Sequence, residues 1–151
     1  MVFAMYHIWY NARVVERAGS PGQPRGELET ARRQGKRVPA IFYRTETGAE
    51  PVRDWLKNLP YSEDRKRIGE DIKTIEFGWP IGMPVCRPLG DGIYEVRTSL
   101  AHNRIASVLF YVDRHSRMVL LHGFIKKMQK TPQSDLNLAK RNKTKHQRGL
   151  Q

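Results

Sequence analysis

Apolar residues recur at helical spacing in the first half of the domain and alternate with polar turns in the second half. One apolar stripe has the spacing i, i+3, i+4 and i+7, with the members Val52, Trp55, Leu56 and Leu59. This spacing predicts a helix that begins near Pro51 and ends before Pro60.

A second apolar stripe predicts a second helix directly after the first. Its members are Ile68, Ile72 and Ile75. Ser62 is the expected N-cap, and Gly78 with Pro80 is expected to end the helix. Because the connection between the two helices is short, the pair is typical of an α-helical hairpin.

Short β-prone runs on either side of these helices predict a sheet. One run precedes the helices at 39–43, and four runs follow them at 85–89, 93–98, 104–112 and 118–124. Gly90-Asp91-Gly92 is a three-residue hairpin signal. Residues 132–145 predict a last helix with a thin apolar face, so we expect a partner to cover that helix or the sheet. The order β-α-α-β-β-β-β-α predicts an α+β domain.

Composition divides the chain into a domain and two flanking segments. Residues 1–38 are expected to form a poorly ordered extension or linker, because glycine and proline cluster among charged residues at 19–38. The domain is expected at 39–145, with a basic tail at 146–151. Met1 to Tyr10 is too short an apolar stretch to span a bilayer and a poor secretory signal. With Cys86 as the single cysteine, the chain fits a reducing cytosol, so we expect a cytoplasmic protein without membrane contact.

The formal net charge of +12, with a pI of about 10.2, points to a polyanionic partner. Residues 126–151 carry eight Lys and Arg against one acid, whereas residues 39–125 carry twelve against eleven. We expect the C-terminal excess to neutralise RNA phosphates. No metal site or cofactor is expected, because the histidines lack ligand spacing and the acids are scattered.

Four short motifs follow one another in the strand-rich half. They are Tyr94-Glu95-Val96-Arg97, Arg104-Ile105, Gly123-Phe124-Ile125-Lys126-Lys127 and Thr131-Pro132. In this order the chain resembles the phage-derived, HigB-like branch of the RelE/ParE toxin superfamily from about Ile41 to Lys140. The resemblance implies a twisted, mainly antiparallel sheet with the helical hairpin on one face.

The resemblance also implies a function. It implies the toxin of a type II toxin–antitoxin system, a metal-independent and ribosome-dependent mRNA endonuclease that cleaves by 2′-hydroxyl attack. The implied partners are mRNA, the ribosome and a helix-turn-helix antitoxin of the HigA type. Two alternatives stay open: a ParE-like inhibitor of DNA gyrase that is not an enzyme, and an RNA-binding regulatory module without activity.

Candidate catalytic residues lie at the ends of the predicted strands. Arg97 and Arg104 are expected to clamp the phosphate, because planar guanidinium groups bind it through two hydrogen bonds. Lys127 is expected to stabilise the transition state or to act as acid or base. His102 is a further candidate acid or base. We expect Arg97, Arg104 and one of the two lysines at 126 and 127 to line a single concave surface.

Candidate RNA-binding residues come from the same strands and from the last helix. Four of them are cations expected to contact phosphates: Lys126, Lys130, Lys140 and Arg141. Tyr94 has a ring suited to stacking on bases. His122, inside the last strand, is expected to be a hydrogen-bonded core residue.

Overall fold

The computed structural model describes residues 35–127 and 129–150. Most of the predicted extension at 1–38 therefore lies outside the described residues. Three helices and five strands are present in the described part: β1 (Ala40–Phe42), α1 (Pro51–Lys57), α2 (Ser62–Gly78), β2 (Cys86–Gly90), β3 (Ile93–Ser99), β4 (Ile105–Val112), β5 (Met118–Lys126) and α3 (Gln133–Gly149). The mixed α+β class and the order of elements agree with the sequence prediction.

The five strands form one sheet in the order β1-β5-β4-β3-β2. Strand β1 pairs with β5 in parallel, and the remaining neighbours pair antiparallel, as predicted for a mainly antiparallel sheet. The tight turn at residues 90–92 joins β2 to β3. Its left-handed positions include Gly90 and Gly92, with φ of 91° and 73°, which glycine adopts without steric cost.

Helices α1 and α2 cover one face of the sheet. Their buried residues Val52, Leu56, Ile68, Ile72 and Ile75 match the predicted apolar stripes. The predicted cap of α2 is wrong by one residue. Tyr61 occupies the N-cap position with extended backbone and no side-chain hydrogen bond, and Ser62 is the first helical residue. None of the helices in residues 35–127 and 129–150 combines the length and apolarity that a membrane span requires.

Helix α3 covers the opposite face of the sheet. Ala139 is fully buried there, Leu136 packs against the same cluster, and Asn142 Nδ2 donates a hydrogen bond to the backbone oxygen of Leu121 at 2.9 Å. The thin apolar face is therefore sufficient for docking within the chain itself. A partner that covers this helix or the sheet stays a prediction. The helix also continues to Gly149, so it includes residues 146–149 of the predicted tail.

A β-bulge in β5 changes the direction of the side chains that follow it. Leu109 pairs with His122 while Phe110 pairs with Leu120, so β5 has one extra residue. Even-numbered side chains such as Leu120 consequently point to the α1/α2 face before the bulge. After it, the even-numbered Phe124 packs in the cluster on the α3 face, and Ile125 packs in the other. The bulge thereby turns Lys126 toward α3.

Candidate functional site

A buried carboxylate joins three of the sequence motifs on the α3 face of the sheet. Glu95 is completely buried on β3, and its Oε2 accepts hydrogen bonds from Thr131 Oγ1 at 2.6 Å and from Ser107 Oγ at 3.0 Å. Lys126 Nζ lies 2.7 Å from the same oxygen, and its side chain is 1 % exposed. Because a buried charge needs a partner, these contacts explain how Glu95 and Lys126 tolerate burial together.

Arg97 extends this cluster to the surface. Its Nε lies 3.6 Å from Glu95 Oε1, and its Nη2 donates to Gln129 Oε1 at 3.0 Å. Glu95 and Arg97 share a face of β3, as their two-residue spacing predicts. The Arg97 side chain is 18 % exposed, so it reaches the surface of the molecule.

Two exposed lysines flank the anchored positions. Lys127 follows Lys126, and Lys130 precedes Thr131, so each lysine is next to a residue that Glu95 holds. Lys126 Nζ also donates to the backbone oxygen of Gln129 at 3.2 Å, which fastens the connection between β5 and α3. Together with Arg97 these lysines form a cationic rim, defined here as Arg97, Lys127 and Lys130. A rim of this kind suits an anionic ligand such as a phosphate.

The predicted phosphate contact by Lys126 is not what the structure shows. Its ammonium group is enclosed and paired with Glu95, so it has no surface to offer to RNA. Lys126 instead holds the cluster together from within.

Arg104 lies apart from Arg97, contrary to the expected convergence. Its Nη1 and Nη2 bind Asp64 of α2 at 2.7 Å and 3.1 Å, its Nε donates to the backbone oxygen of Ala101, and its guanidinium lies over the Tyr61 ring. The hydrogen bonds that Arg104 donates to the Asp64 carboxylate raise the pKa of Arg104. All three guanidinium nitrogens are engaged, so Arg104 joins α2 to the start of β4.

Tyr94 is also placed differently from the prediction. Its ring packs edge-on against Trp79 with centroids 4.8 Å apart and stacks on Phe110 at 5.6 Å. These contacts belong to the core under the helical hairpin, so the ring is not available to stack on bases.

The remaining predicted residues have mixed surroundings. Lys140 pairs with Asp91 at 3.0 Å, whereas Arg141 is exposed on α3. His102 is exposed in the β3–β4 turn, with a left-handed φ of 61°. His122 is hydrogen-bonded as predicted, because its Nε2 lies 2.7 Å from Asp135 Oδ1 in the first turn of α3.

Sequence reasoning missed the roles of Glu95, Ser107 and Thr131. One usable signal was an acidic residue inside a strand whose neighbours are apolar, because such a residue is either exposed or held by partners. Within residues 35–127 and 129–150, no group of three His, Cys, Asp or Glu side chains is arranged to hold a metal ion.

Comparison with known protein families places this geometry in context. A family model described as "Phage derived protein Gp49-like (DUF891)" matches residues 54–144. The chain therefore belongs to this Gp49-like family, which is part of the RelE/HigB-type toxin superfamily. A search of curated proteins finds no match. The matched range contains the Glu95 cluster, and membership is consistent with a toxin that has an antitoxin partner.

Proposed function

We propose that the chain is the toxin of a type II toxin–antitoxin pair and that it cleaves mRNA on the ribosome by 2′-hydroxyl attack. One observation carries the proposal. Glu95 gathers Arg97, Lys126 and Thr131, which come from three separate motifs, and thereby fixes the cationic rim at the surface. The proposed partners are mRNA, the ribosome and a helix-turn-helix antitoxin of the HigA type.

The rim suits the charge that develops during cleavage. Attack of a 2′-hydroxyl on the adjacent phosphate produces a phosphorane with extra negative charge, and fixed cations lower the energy of that charge. Arg97 is the proposed contact to the nonbridging oxygens, because a guanidinium can donate two parallel hydrogen bonds to them. Lys127 is the proposed acid that protonates the departing 5′-oxygen. These groups make a metal-independent mechanism chemically complete once a base removes the 2′-hydroxyl proton.

His102 is the proposed general base. It lies in the β3–β4 turn, and Ile105 at the other side of that turn pairs with Lys126. The turn and the rim therefore share one end of the sheet.

Glu95 contributes through positioning rather than through contact with RNA, because it is completely buried. Its carboxylate restrains Arg97 before the substrate arrives, and a cation fixed in advance loses less conformational freedom on binding. Lys126 supplies the opposite charge beside this buried carboxylate.

The test is cleavage of mRNA by the purified chain on translating ribosomes, with 5′ ends mapped by sequencing. Arg97→Ala should slow cleavage by about 100-fold or more, a typical effect of removing one transition-state donor. Arg97→Lys should fall between that variant and the unchanged chain, because it keeps the charge and loses the planar fork. Lys66→Ala, which removes an exposed cation of α2, is the matched control and should cleave normally.

Two outcomes would overturn the proposal. The first is a folded, unchanged chain that produces no new 5′ ends on translating ribosomes. The second is Arg97→Ala cleaving as fast as Lys66→Ala. Inhibition of gyrase supercoiling, with mRNA intact, would favour the ParE-like alternative instead.

A further inference from the structure

A second cationic site lies at the far end of the sheet. A cavity of about 600 Å³ opens between the β1–α1 loop, the residue before β5 and the last turns of α3. Four cationic side chains and one carboxylate line it: Arg44, Arg117, Lys145, Arg148 and Glu46. Volumes between about 300 and 1,000 Å³ are typical of pockets for small molecules.

The cavity is distant from the cationic rim. Arg117 directly precedes Met118 at the start of β5, whereas Lys126 ends that strand. Eight residues of extended chain span about 26 Å. The two sites therefore cannot bind the same phosphate.

Most of the positive charge in the cavity is not compensated. Arg117 Nη2 pairs with Asp113 at 2.7 Å, but no carboxylate among the described residues pairs with Arg44, Lys145 or Arg148. Cations at a helix C-terminus can simply stabilise the helix dipole, and this explanation is sufficient for Lys145 and Arg148. It does not account for Arg44 and Arg117, because they reach the cavity from other elements.

The wall beside these cations is held in place by contacts across the fold. The Tyr111 hydroxyl and His146 Nδ1 share a hydrogen bond, and His146 lines the cavity. Arg114 donates to the backbone oxygen of Leu150, which closes the end of α3 onto the β4–β5 turn. The cations of three segments are thereby kept around one space, as a binding site requires.

We propose that this cavity binds a phosphate group, carried either by a free nucleotide or by RNA. Guanidinium groups from two segments can donate paired hydrogen bonds to phosphate oxygens, and Lys145 adds a point charge. The inference does not depend on the proposed cleavage, since the cavity and the rim use different residues. Arg44, Lys145, His146 and Arg148 also lie outside the range that the family model matches.

The test is a binding titration of the full chain by calorimetry with three probes. They are inorganic phosphate, adenosine 5′-monophosphate and a short single-stranded RNA with 2′-O-methyl groups, which cannot undergo 2′-hydroxyl cleavage. Lys145→Gln with Arg148→Gln should weaken binding of at least one probe by 10-fold or more. Lys57→Gln with Lys66→Gln removes the same charge from exposed positions of the helical hairpin and should leave that affinity unchanged.

The probes distinguish the two phosphate sources. Binding of RNA but of neither small probe assigns the site to the nucleic acid. In that case the slope of log affinity against log salt should be shallower by about 1.4 in the double variant, because each of the two lost phosphate contacts contributes roughly 0.7. Binding of adenosine monophosphate or phosphate assigns it to a small ligand. Equal affinity of the two double variants for every probe, or no binding of any of the three probes to the unchanged chain, would overturn the inference.

The outcome of the cleavage assay is independent of the outcome of these binding titrations. Arg97→Ala should keep the affinity of the cavity, whatever the cleavage assay gives. A chain that binds a probe through Lys145 and Arg148 but never cuts mRNA would retain this inference and lose the proposed function.

Discussion

Lys126 Nζ lies 2.7 Å from Glu95 Oε2, and both side chains are almost completely shielded from solvent. This contact ties β3 to the end of β5, two strands that are separated in the sheet by β4. Ser107 on the intervening strand donates to the same carboxylate oxygen, so the cluster crosses three adjacent strands. Stability and site geometry therefore depend on the same buried carboxylate.

Removing one partner of this buried ion pair should destabilise the fold. We expect Glu95→Gln to lower the free energy of unfolding by about 3–5 kcal/mol, because Lys126 would remain buried without a counter-charge. The double variant Glu95→Gln with Lys126→Met should be less destabilised than the sum of the two single changes. Urea unfolding of all four proteins measures this coupling.

An exposed ion pair provides the control for that cycle. Arg67 and Glu63 pair at 3.4 Å on the outside of α2, with side chains 43 % and 62 % exposed. Glu63→Gln should change stability by less than about 1 kcal/mol. Strict additivity of the Glu95 and Lys126 changes would contradict the ion pair as the structure has it.

Arg104 and Asp64 should behave as a structural pair. We expect Arg104→Gln and Asp64→Asn each to lower the melting temperature by about 5 °C. The double variant should be little worse than either single variant, because both changes remove the same contact. Circular dichroism melting measures the effect.

The same variants test whether Arg104 also acts on RNA. If its role is confined to the pair, cleavage by folded Arg104→Gln and folded Asp64→Asn should be equally affected. Loss of cleavage in Arg104→Gln alone would instead restore Arg104 as a phosphate contact.

The helical hairpin could be predicted from sequence because its apolar period is carried by large side chains that all reach one core. Ile68, Ile72 and Ile75 are fully buried at the predicted spacing. The strand order along the chain followed equally from short β-prone runs with clear turn signals between them. Boundaries were less certain, and β5 extends to Lys126, two residues beyond the prediction.

The direction of Lys126 and Lys127 could not be predicted in the same way. Alternation along β5 without interruption would have put Lys126 on the face of Leu120, under the helical hairpin. The extra residue in the bulge reverses that order, and the apolar pattern that predicted the strand did not predict the bulge. The burial of Lys126 is therefore a property of strand pairing.

The placement of Arg104 and of α3 depended on long-range partners. Arg104 finds its carboxylate 40 positions earlier in the chain, on α2. Docking of α3 uses the buried Ala139, the partly buried Leu136 and the hydrogen bond of Asn142, rather than a broad apolar stripe. The periodicity of apolar residues does not include hydrogen bonds or the fit of small side chains. It therefore did not predict that this helix packs on the sheet.

Gly123 should not tolerate a side chain. A Cβ atom at this position would lie 2.6 Å from Cζ3 and 3.0 Å from Cδ2 of the Trp55 indole. We expect Gly123→Ala to destabilise the fold by about 1–3 kcal/mol, as overpacking in cores does. Chemical unfolding measures the loss.

A matched glycine and a second-site change make this test specific. Gly82→Ala is the control, because a Cβ there meets no atom within 4 Å. In a Trp55→Leu background, Gly123→Ala should lower the free energy of unfolding by less than it does in the unchanged chain. An equal cost of Gly123→Ala in both backgrounds would rule out the indole as the cause.

His146 should make stability depend on pH below neutrality. Burial lowers the pKa of His146 and outweighs the opposite effect of Asp113, while Arg117 adds to the lowering. Burial also raises the pKa of Tyr111 to about 12, so the hydroxyl that is hydrogen-bonded to His146 stays protonated at neutral pH. The unfolded histidine, with a pKa of about 6.5, thus binds a proton more readily than the folded one.

The contribution of the neutral, buried His146 to the free energy of unfolding is therefore complete above about pH 6.5. It declines as the pH falls below that value, because proton binding then favours the unfolded chain. We expect His146→Gln to be less stable than the unchanged chain at pH 8, by about 1 kcal/mol for the lost hydrogen bond. That gap should narrow between pH 7 and pH 5 in urea titrations. His115→Gln, at an exposed position in the β4–β5 turn, should show no such narrowing. A gap for His146→Gln that stays constant from pH 8 to pH 5 would mean that the folded and unfolded histidines bind protons equally well.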